Sequence, residues 1–226
     1  MIAKIEIERI KRAKKIVSYL KSAYPKPKSE LKHNTPFQFV VAVILSAQCT
    51  DKVVNRVTEK LFKKYKTAKD FARARQNILE QEISSVPFFR NKARNIISAA
   101  KKVISPPPGG FKGKVPDNAK DLQTLPGVGY KTAHVVLGEL YDSWEGIATD
   151  THVRRFALRF NLTDEKEPTK ISKALEFLIP KKDWKFVNNG MVLYGRYVCP
   201  ARPHSCEKHP LTKLWPAASK NWPRTS

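Results

Sequence analysis

The chain has 226 residues, 41% of them hydrophobic, and is therefore long enough to bury one large core or two smaller ones. Its 43 Lys and Arg residues outnumber its 20 Asp and Glu residues, which gives a net charge of +23. This charge favours a polyanionic partner, and nucleic acid is the leading candidate. The alternative is that the basic surface serves solubility or thermostability. Three cysteines, no signal peptide and no apolar run of membrane-spanning length predict an intracellular protein of the cytoplasm or nucleoid that has no membrane partner. We also expect a monomer.

Apolar residues recur at helical spacing along nearly the whole chain, and strand alternation is almost absent. Breaks rich in proline and glycine, at residues 25–27, 105–110, 126–127 and 200, divide the chain into about ten segments of ordinary helix length. The pattern predicts an all-α protein. The first two helical series comprise Ile10, Ala13, Ile16, Val17 and Leu20, and then Val40, Val41, Val43, Ile44 and Leu45.

A Gly-x-Gly turn stands directly before an apolar helical run at residues 125–133. Backbone N–H groups at such a helix N-terminus bind phosphate oxygens, so this turn is a candidate DNA contact. Lys131 follows the turn, and on the hairpin alone it is either a phosphate contact or an amine that attacks an electrophilic carbon of the anchored nucleic acid. The predicted DNA contacts here are Leu125, Gly127, Val128, Gly129 and Thr132.

Asp150 lies in the stretch Thr149-Asp150-Thr151-His152, just before another helical run. Its carboxylate is either a helix N-cap or a group that stabilises positive charge on a sugar ring and helps to move protons. A helix start and a chemical role at this point of the chain are compatible if Thr151 caps the helix and Asp150 faces the substrate.

Six segments in one order resemble the endonuclease III family of the helix-hairpin-helix DNA glycosylase superfamily. They lie at 45–51, 91–96, 115–116, 125–133, 149–152 and 194–199, and the resemblance spans about 38–206. It implies two helical lobes with a DNA-binding cleft between them. A six-helix lobe at 37–142 carries the hairpin, and residues 1–36 and 143–226 form the second lobe.

The resemblance also implies residue roles. The matching lysine of the family attacks C1′ of a flipped nucleotide, displaces the base, forms a Schiff base and cuts the strand by elimination, with the matching aspartate as its companion. Residues matching Gln48 and Phe88 fill the gap that the flipped base leaves in the duplex. Phe88 replaces the leucine usual in close relatives, and an alternative interpretation places it in the core.

Relatives end in a four-cysteine iron–sulfur motif, but this chain departs from it. Cys199 and Cys206 keep the first two positions, whereas His209 and Trp215 stand at the third and fourth. Tryptophan does not ligate iron, so we expect no cluster and no cofactor, with Trp215 packing as an apolar plug beside Leu211, Leu214 and Pro216. A mixed zinc site at Cys199, His204, Cys206 and His209 is the less favoured alternative.

The sequence therefore predicts a bifunctional DNA glycosylase and AP lyase of base excision repair that acts on oxidised pyrimidines in double-stranded DNA. Two alternatives stay open. One is a glycosylase for another lesion, such as mismatched thymine, uracil or 8-oxoguanine. The other is a DNA-binding helix-hairpin-helix protein that has lost catalysis.

Overall fold

The computed structural model describes residues 2–202 and 204–220, and this part of the chain contains helices and no strand, which confirms the all-α prediction. No helix within it is long and apolar enough to cross a membrane. The helices are α1 (Ile2–Ala23), α2 (Pro36–Ser46), α3 (Asp51–Lys64), α4 (Ala68–Ala72), α5 (Gln76–Glu82), α6 (Phe89–Ile104), α7 (Ala119–Leu122), α8 (Tyr130–Tyr141), α9 (Thr151–Arg159), α10 (Pro168–Leu178), α11 (Met191–Tyr197) and α12 (Pro210–Leu214). Short 3₁₀ segments occupy Lys181–Asp183 and Pro216–Ser219, and a π-helical turn occupies Phe186–Gly190.

Polar N-cap residues explain where several of these helices begin. Thr35 accepts a hydrogen bond from the backbone of Gln38 at the start of α2, and Glu167 accepts from the first turn of α10. A proline follows each of these caps at the first helical position, where its missing N–H is not needed. The side chain of Asn118 caps α7 as well.

The chain forms two compact units. One joins the N-terminal residues up to Lys28 with the residues from Gly146 onward, and the other comprises Ser29–Glu145. The second unit therefore includes residues 29–36, which the sequence analysis assigns to the other lobe. The backbone N–H of Ser29 donates to the Glu139 carboxylate at 2.9 Å, and this bond ties that segment to α8.

The unit Ser29–Glu145 is built around α2, whose residues Phe37–Leu45 are all buried. A helix that is apolar on every side must be enclosed, and α2 packs against α3, α6 and α8. This unit contains seven helices, α2–α8, rather than the six that the resemblance implies. The extra count comes from short segments such as α4 and α7, which have five and four residues.

The other unit has its own core, in which α1 packs against α10, α12 and the π-helical turn, and α9 packs against α10 and α11. Tyr194 of α11 lies at its centre and is fully buried, and this burial raises the pKa of its phenol. Its hydroxyl accepts a hydrogen bond from the backbone of Leu211, so α12 is held against α11.

Candidate nucleic-acid site

The Gly-x-Gly turn has the backbone geometry of an anion-binding helix start. Gly127 has φ +82°, a left-handed conformation that glycine adopts readily, and a Cβ built on it would lie 3.0 Å from Cβ of Asn95. Gly129 is the N-cap of α8 and has no side chain to cap it, and the first helical bond runs from Ala133 to Gly129. The amides of Lys131 and Thr132 precede that bond and point toward the helix start.

Two of the predicted DNA contacts have side chains in the hydrophobic core. Leu125 and Val128 have only 1% and 4% of their surfaces exposed and belong to the core of their unit. The N–H of Val128 also donates to the carbonyl of Leu125 at 3.0 Å. Their side chains therefore anchor the hairpin, and the exposed Gly127 and Gly129 present its backbone. Contact of these residues with DNA stays a prediction.

Lys131 is exposed on the first turn of α8, whereas its neighbours along the helix, Ala133 and His134, are buried. The ring of His134 packs edge-on against Tyr130, with 4.2 Å between ring centroids. His134 thus has a structural environment, and Lys131 is the residue of this turn that presents an amine to solvent.

Asp150 is itself the N-cap of α9. One carboxylate oxygen, Oδ1, accepts a hydrogen bond from the N–H of Val153 at 2.8 Å. Of the two candidate caps in the sequence, Asp150 is therefore the one that caps the helix, and Thr151 is the first helical residue. The cap leaves the carboxylate half-buried and fixes its orientation, and its chemical role stays a prediction. Asp150 belongs to the unit that continues from Gly146, and Lys131 to the other.

Gln48 and Phe88 have two features in common. Both are exposed, and both have left-handed backbones, with φ 55° and 59°. Phe88 has 64% of its surface exposed and is the residue before α6, whereas its neighbour Phe89 packs against the core. The core interpretation is thus excluded for Phe88. A left-handed backbone at a bulky residue is costly and is found where the surroundings enforce it.

Lys92 is a residue whose role the sequence analysis missed. It lies on α6, is 94% buried, and donates from Nζ to the carbonyl oxygens of Leu45 at 2.9 Å and Ala47 at 2.6 Å. These carbonyls end α2, where helices leave acceptors unpaired. Burial lowers the pKa of the Lys92 amine. Its own N–H donates to the carbonyl of Phe88 at 3.0 Å, so one residue contacts the loops of both Phe88 and Gln48.

If the chain catalyses the base release that the resemblance implies, we expect Lys92→Met to reduce the rate of that reaction by about tenfold to hundredfold, because a loop displaced by about 1 Å loses productive geometry. The change keeps the apolar stem but leaves two carbonyl acceptors unsatisfied, which should cost about 1–3 kcal/mol of stability. Single-turnover kinetics and thermal unfolding measure both. Lys101→Met, at an exposed position of the same helix, is the control. An unchanged rate in Lys92→Met would contradict this positioning role.

The C-terminal cysteines lie in a buried, hydrogen-bonded segment. Cys199 and Cys206 are each 1% exposed, and the fully buried Arg159 donates to their Sγ atoms at 3.0 and 3.1 Å and to the carbonyl of Ala218 at 2.7 Å. A second arginine, Arg155, donates to the carbonyl of Cys199 at 2.9 Å. Burial raises the pKa of the Cys199 thiol, and the hydrogen bond from Arg159 opposes that effect.

Trp215 packs partly buried against the same core, with the guanidinium carbon of Arg12 3.5 Å from its ring centroid. Leu211 is fully buried, but Leu214 has 39% of its surface exposed and Pro216 is exposed as well. The expected plug therefore consists of Leu211 and Trp215. Leu214 and Pro216 lie outside it, because the short helix α12 turns only one apolar side toward the core.

The all-helical fold and its Gly-x-Gly hairpin define a helix-hairpin-helix protein. Residues 41–181 match the family model of the HhH-GPD superfamily base excision DNA repair proteins. Endonuclease III of Synechocystis sp. is 42% identical over 207 residues, which cover 92% of this chain and 93% of that protein. Endonuclease III of Bacillus subtilis is 41% identical over 192 residues, covering 84% and 85%.

A solved structure of a trapped endonuclease III–DNA covalent intermediate is also similar, with a TM-score of 0.84, 37% identity, and coverage of 93% of this chain and 97% of that one. A thermostable thymine-DNA glycosylase shares the fold alone, with a TM-score of 0.76 at 22% identity. The chain belongs to the endonuclease III family of the HhH-GPD superfamily. It is a base excision repair DNA glycosylase with AP lyase activity.

Proposed function

We propose that this enzyme excises oxidised pyrimidines from duplex DNA, with Lys131 as the nucleophile, and then nicks the strand by β-elimination. The observation that carries the proposal is the position of Lys131: an exposed amine on the first turn of a helix whose uncapped N-terminus suits a DNA phosphate. The solved covalent intermediate of a related endonuclease III with DNA supports a covalent route in this family.

In the proposed reaction the neutral amine of Lys131 attacks C1′ of the flipped nucleotide while the glycosidic bond breaks and the base leaves with its electron pair. The resulting amine adduct opens to a Schiff base between Nζ and C1′. Loss of a C2′ proton then expels the 3′ phosphate, which cuts the strand. Every step uses protein side chains and solvent, so the chemistry requires no metal.

Asp150 is proposed to stabilise the positive charge that grows on the sugar as the base leaves, and to accept a proton from the attacking amine. The hydrogen bond from Val153 holds Oδ1 in place. A carboxylate that is already oriented loses little freedom when the transition state forms, which makes its charge more effective.

Gln48 and Phe88 are proposed to fill the gap left by the flipped nucleotide. Their exposure and their enforced left-handed backbones support this role, because both side chains project from loops fixed by Lys92. Extrusion costs a few kcal/mol of stacking and pairing, which inserted side chains partly replace. The aromatic ring of Phe88 would stack on the orphan base.

We further infer that the enzyme lacks the iron–sulfur cluster usual in its relatives. Two of the four ligand positions hold no cysteine, and the side chain at the fourth, Trp215, lies under the guanidinium of Arg12. The third cysteine of the chain, Cys49, belongs to the other unit. The donor set therefore does not fit a four-cysteine cluster.

A panel of duplexes tests the substrate class. Each carries one lesion: thymine glycol, uracil, a G·T mismatch or 8-oxoguanine. We expect the fastest single-turnover base release from thymine glycol, followed by strand cleavage. Faster release of uracil, mismatched thymine or 8-oxoguanine would assign the enzyme to that lesion instead.

A further inference from the structure

Four of the chain's cysteine and histidine residues, which are potential metal ligands, lie in the segment between α11 and α12. The protein has three cysteines and five histidines in all, and Cys199, His204, Cys206 and His209 fall within residues 199–209. The structure brings one ligand atom each of Cys199, His204 and Cys206 within 4.8 Å of one another. Bond lengths of about 2.0–2.3 Å in a tetrahedral zinc site place ligand atoms about 3.3–3.8 Å apart, so a small contraction closes the site.

We propose that this segment binds one mononuclear Zn²⁺ ion through Cys199, His204, Cys206 and His209. The set differs from the cysteine quartet of iron–sulfur relatives in ligand type and in position, because two of its four ligands are histidines and His204 occupies no position of that quartet. Two thiolates and two imidazoles in tetrahedral geometry suit zinc, which prefers nitrogen and sulfur ligands.

The surroundings of His204 match those of a metal-bound histidine. Its Nδ1 lies 2.7 Å from the carbonyl oxygen of Arg202, and a carbonyl only accepts, so Nδ1 carries the proton. This hydrogen bond directs Nε2 to the ligand, in the same way that outer partners fix the tautomer in known zinc sites.

His209 is the proposed fourth donor, and its ring must move toward the other three ligands, because it lies outside the group whose ligand atoms are within 4.8 Å of one another. Its ring centroid lies 5.1 Å from that of His204, and its Nδ1 is buried with no hydrogen-bond partner among the described residues. An imidazole nitrogen that is removed from water without a partner is costly to a fold. A bound metal ion removes that cost.

Arg159 completes the arrangement from outside the ligand set. Its two terminal nitrogens donate to Sγ of Cys199 and of Cys206, as N–H groups do around zinc thiolates. The same guanidinium holds the carbonyl of Ala218. Zinc would thus link the end of α11 to the start of α12, and its role would be to stabilise this segment rather than to take part in catalysis.

Elemental analysis of the full-length, untagged protein tests the proposal. We expect about one zinc per chain and no iron, since one tetrahedral site binds one ion. The His204→Ala variant should lose the zinc, and Lys208→Ala, at an exposed position of the same segment, should keep it. Zinc-free wild-type protein that binds no zinc from an equimolar solution would overturn the proposal, as would iron together with acid-labile sulfide.

A second measurement needs no variant. Replacement of zinc by Co²⁺ in the wild-type protein should give the visible absorption bands of a tetrahedral site with two sulfur ligands, and zinc should displace them. A spectrum typical of octahedral Co²⁺ would refute the ligand set. Removal of the zinc by a chelator should lower Tm by about 5 °C, whereas the lysine adduct with DNA should still form. Adduct formation therefore tests the proposed catalysis separately from the metal.

Discussion

Lys131→Ala is expected to lose strand cleavage by at least about a thousandfold, while it still binds duplex DNA that carries an abasic-site analogue. The side chain is exposed, so its truncation leaves no cavity and exposes no core. Contacts through the hairpin backbone persist, because they use the amides around Gly127 and Gly129. Single-turnover cleavage and a binding titration at fixed salt measure the two effects.

The matched control for this variant is Lys69→Ala, which removes an exposed lysine from α4. It changes the net charge of +23 by the same single unit, so any general loss of electrostatic attraction appears in both variants. Cleavage that survives in Lys131→Ala at the control's rate would show that another group is the nucleophile.

Asp150→Asn is expected to slow base release by about 10²–10⁴-fold without a matching loss of stability. Asparagine caps a helix about as well as aspartate, so the bond from Val153 survives. The negative charge is lost, and with it the stabilisation of the positive sugar and the ability to take a proton. Single-turnover kinetics and thermal unfolding of the same preparation separate the two roles.

Two further variants sharpen this comparison. Asp150→Ala should lose the same activity and also about 1 kcal/mol of stability, because alanine cannot cap α9. Glu167→Gln changes an acidic N-cap of the same unit, at the start of α10, and should leave base release intact. If Asp150→Asn releases base at the wild-type rate, the carboxylate is a cap and nothing more.

Helical periodicity and proline breaks were sufficient to predict the fold class. Buried apolar series such as Ile16, Val17 and Leu20 leave few choices for a chain without strand alternation, and the capping residues Thr35 and Asn118 mark helix starts. The start of a helix is harder to predict from the sequence where two residues that can cap it are adjacent. At Asp150-Thr151 either residue is a suitable cap, and the geometry selects the first.

The positions of the loop residues were not predictable from local sequence. The left-handed backbones of Gln48 and Phe88 depend on tertiary contacts, because neither residue type favours that conformation. Lys92 was overlooked because a lysine in a basic chain is ordinarily a solvated surface group. Its burial follows from the two carbonyl oxygens at the end of α2, which are distant in sequence.

Reduction of the reaction intermediate with borohydride tests the central claim most directly. The wild-type enzyme would be incubated with a duplex that carries one thymine glycol, reduced with sodium borohydride, digested with a protease and analysed by mass spectrometry. The proposed mechanism predicts one covalent adduct, with the deoxyribose remnant on Nζ of Lys131. An adduct on any other residue, or base release with no adduct at all, would contradict it.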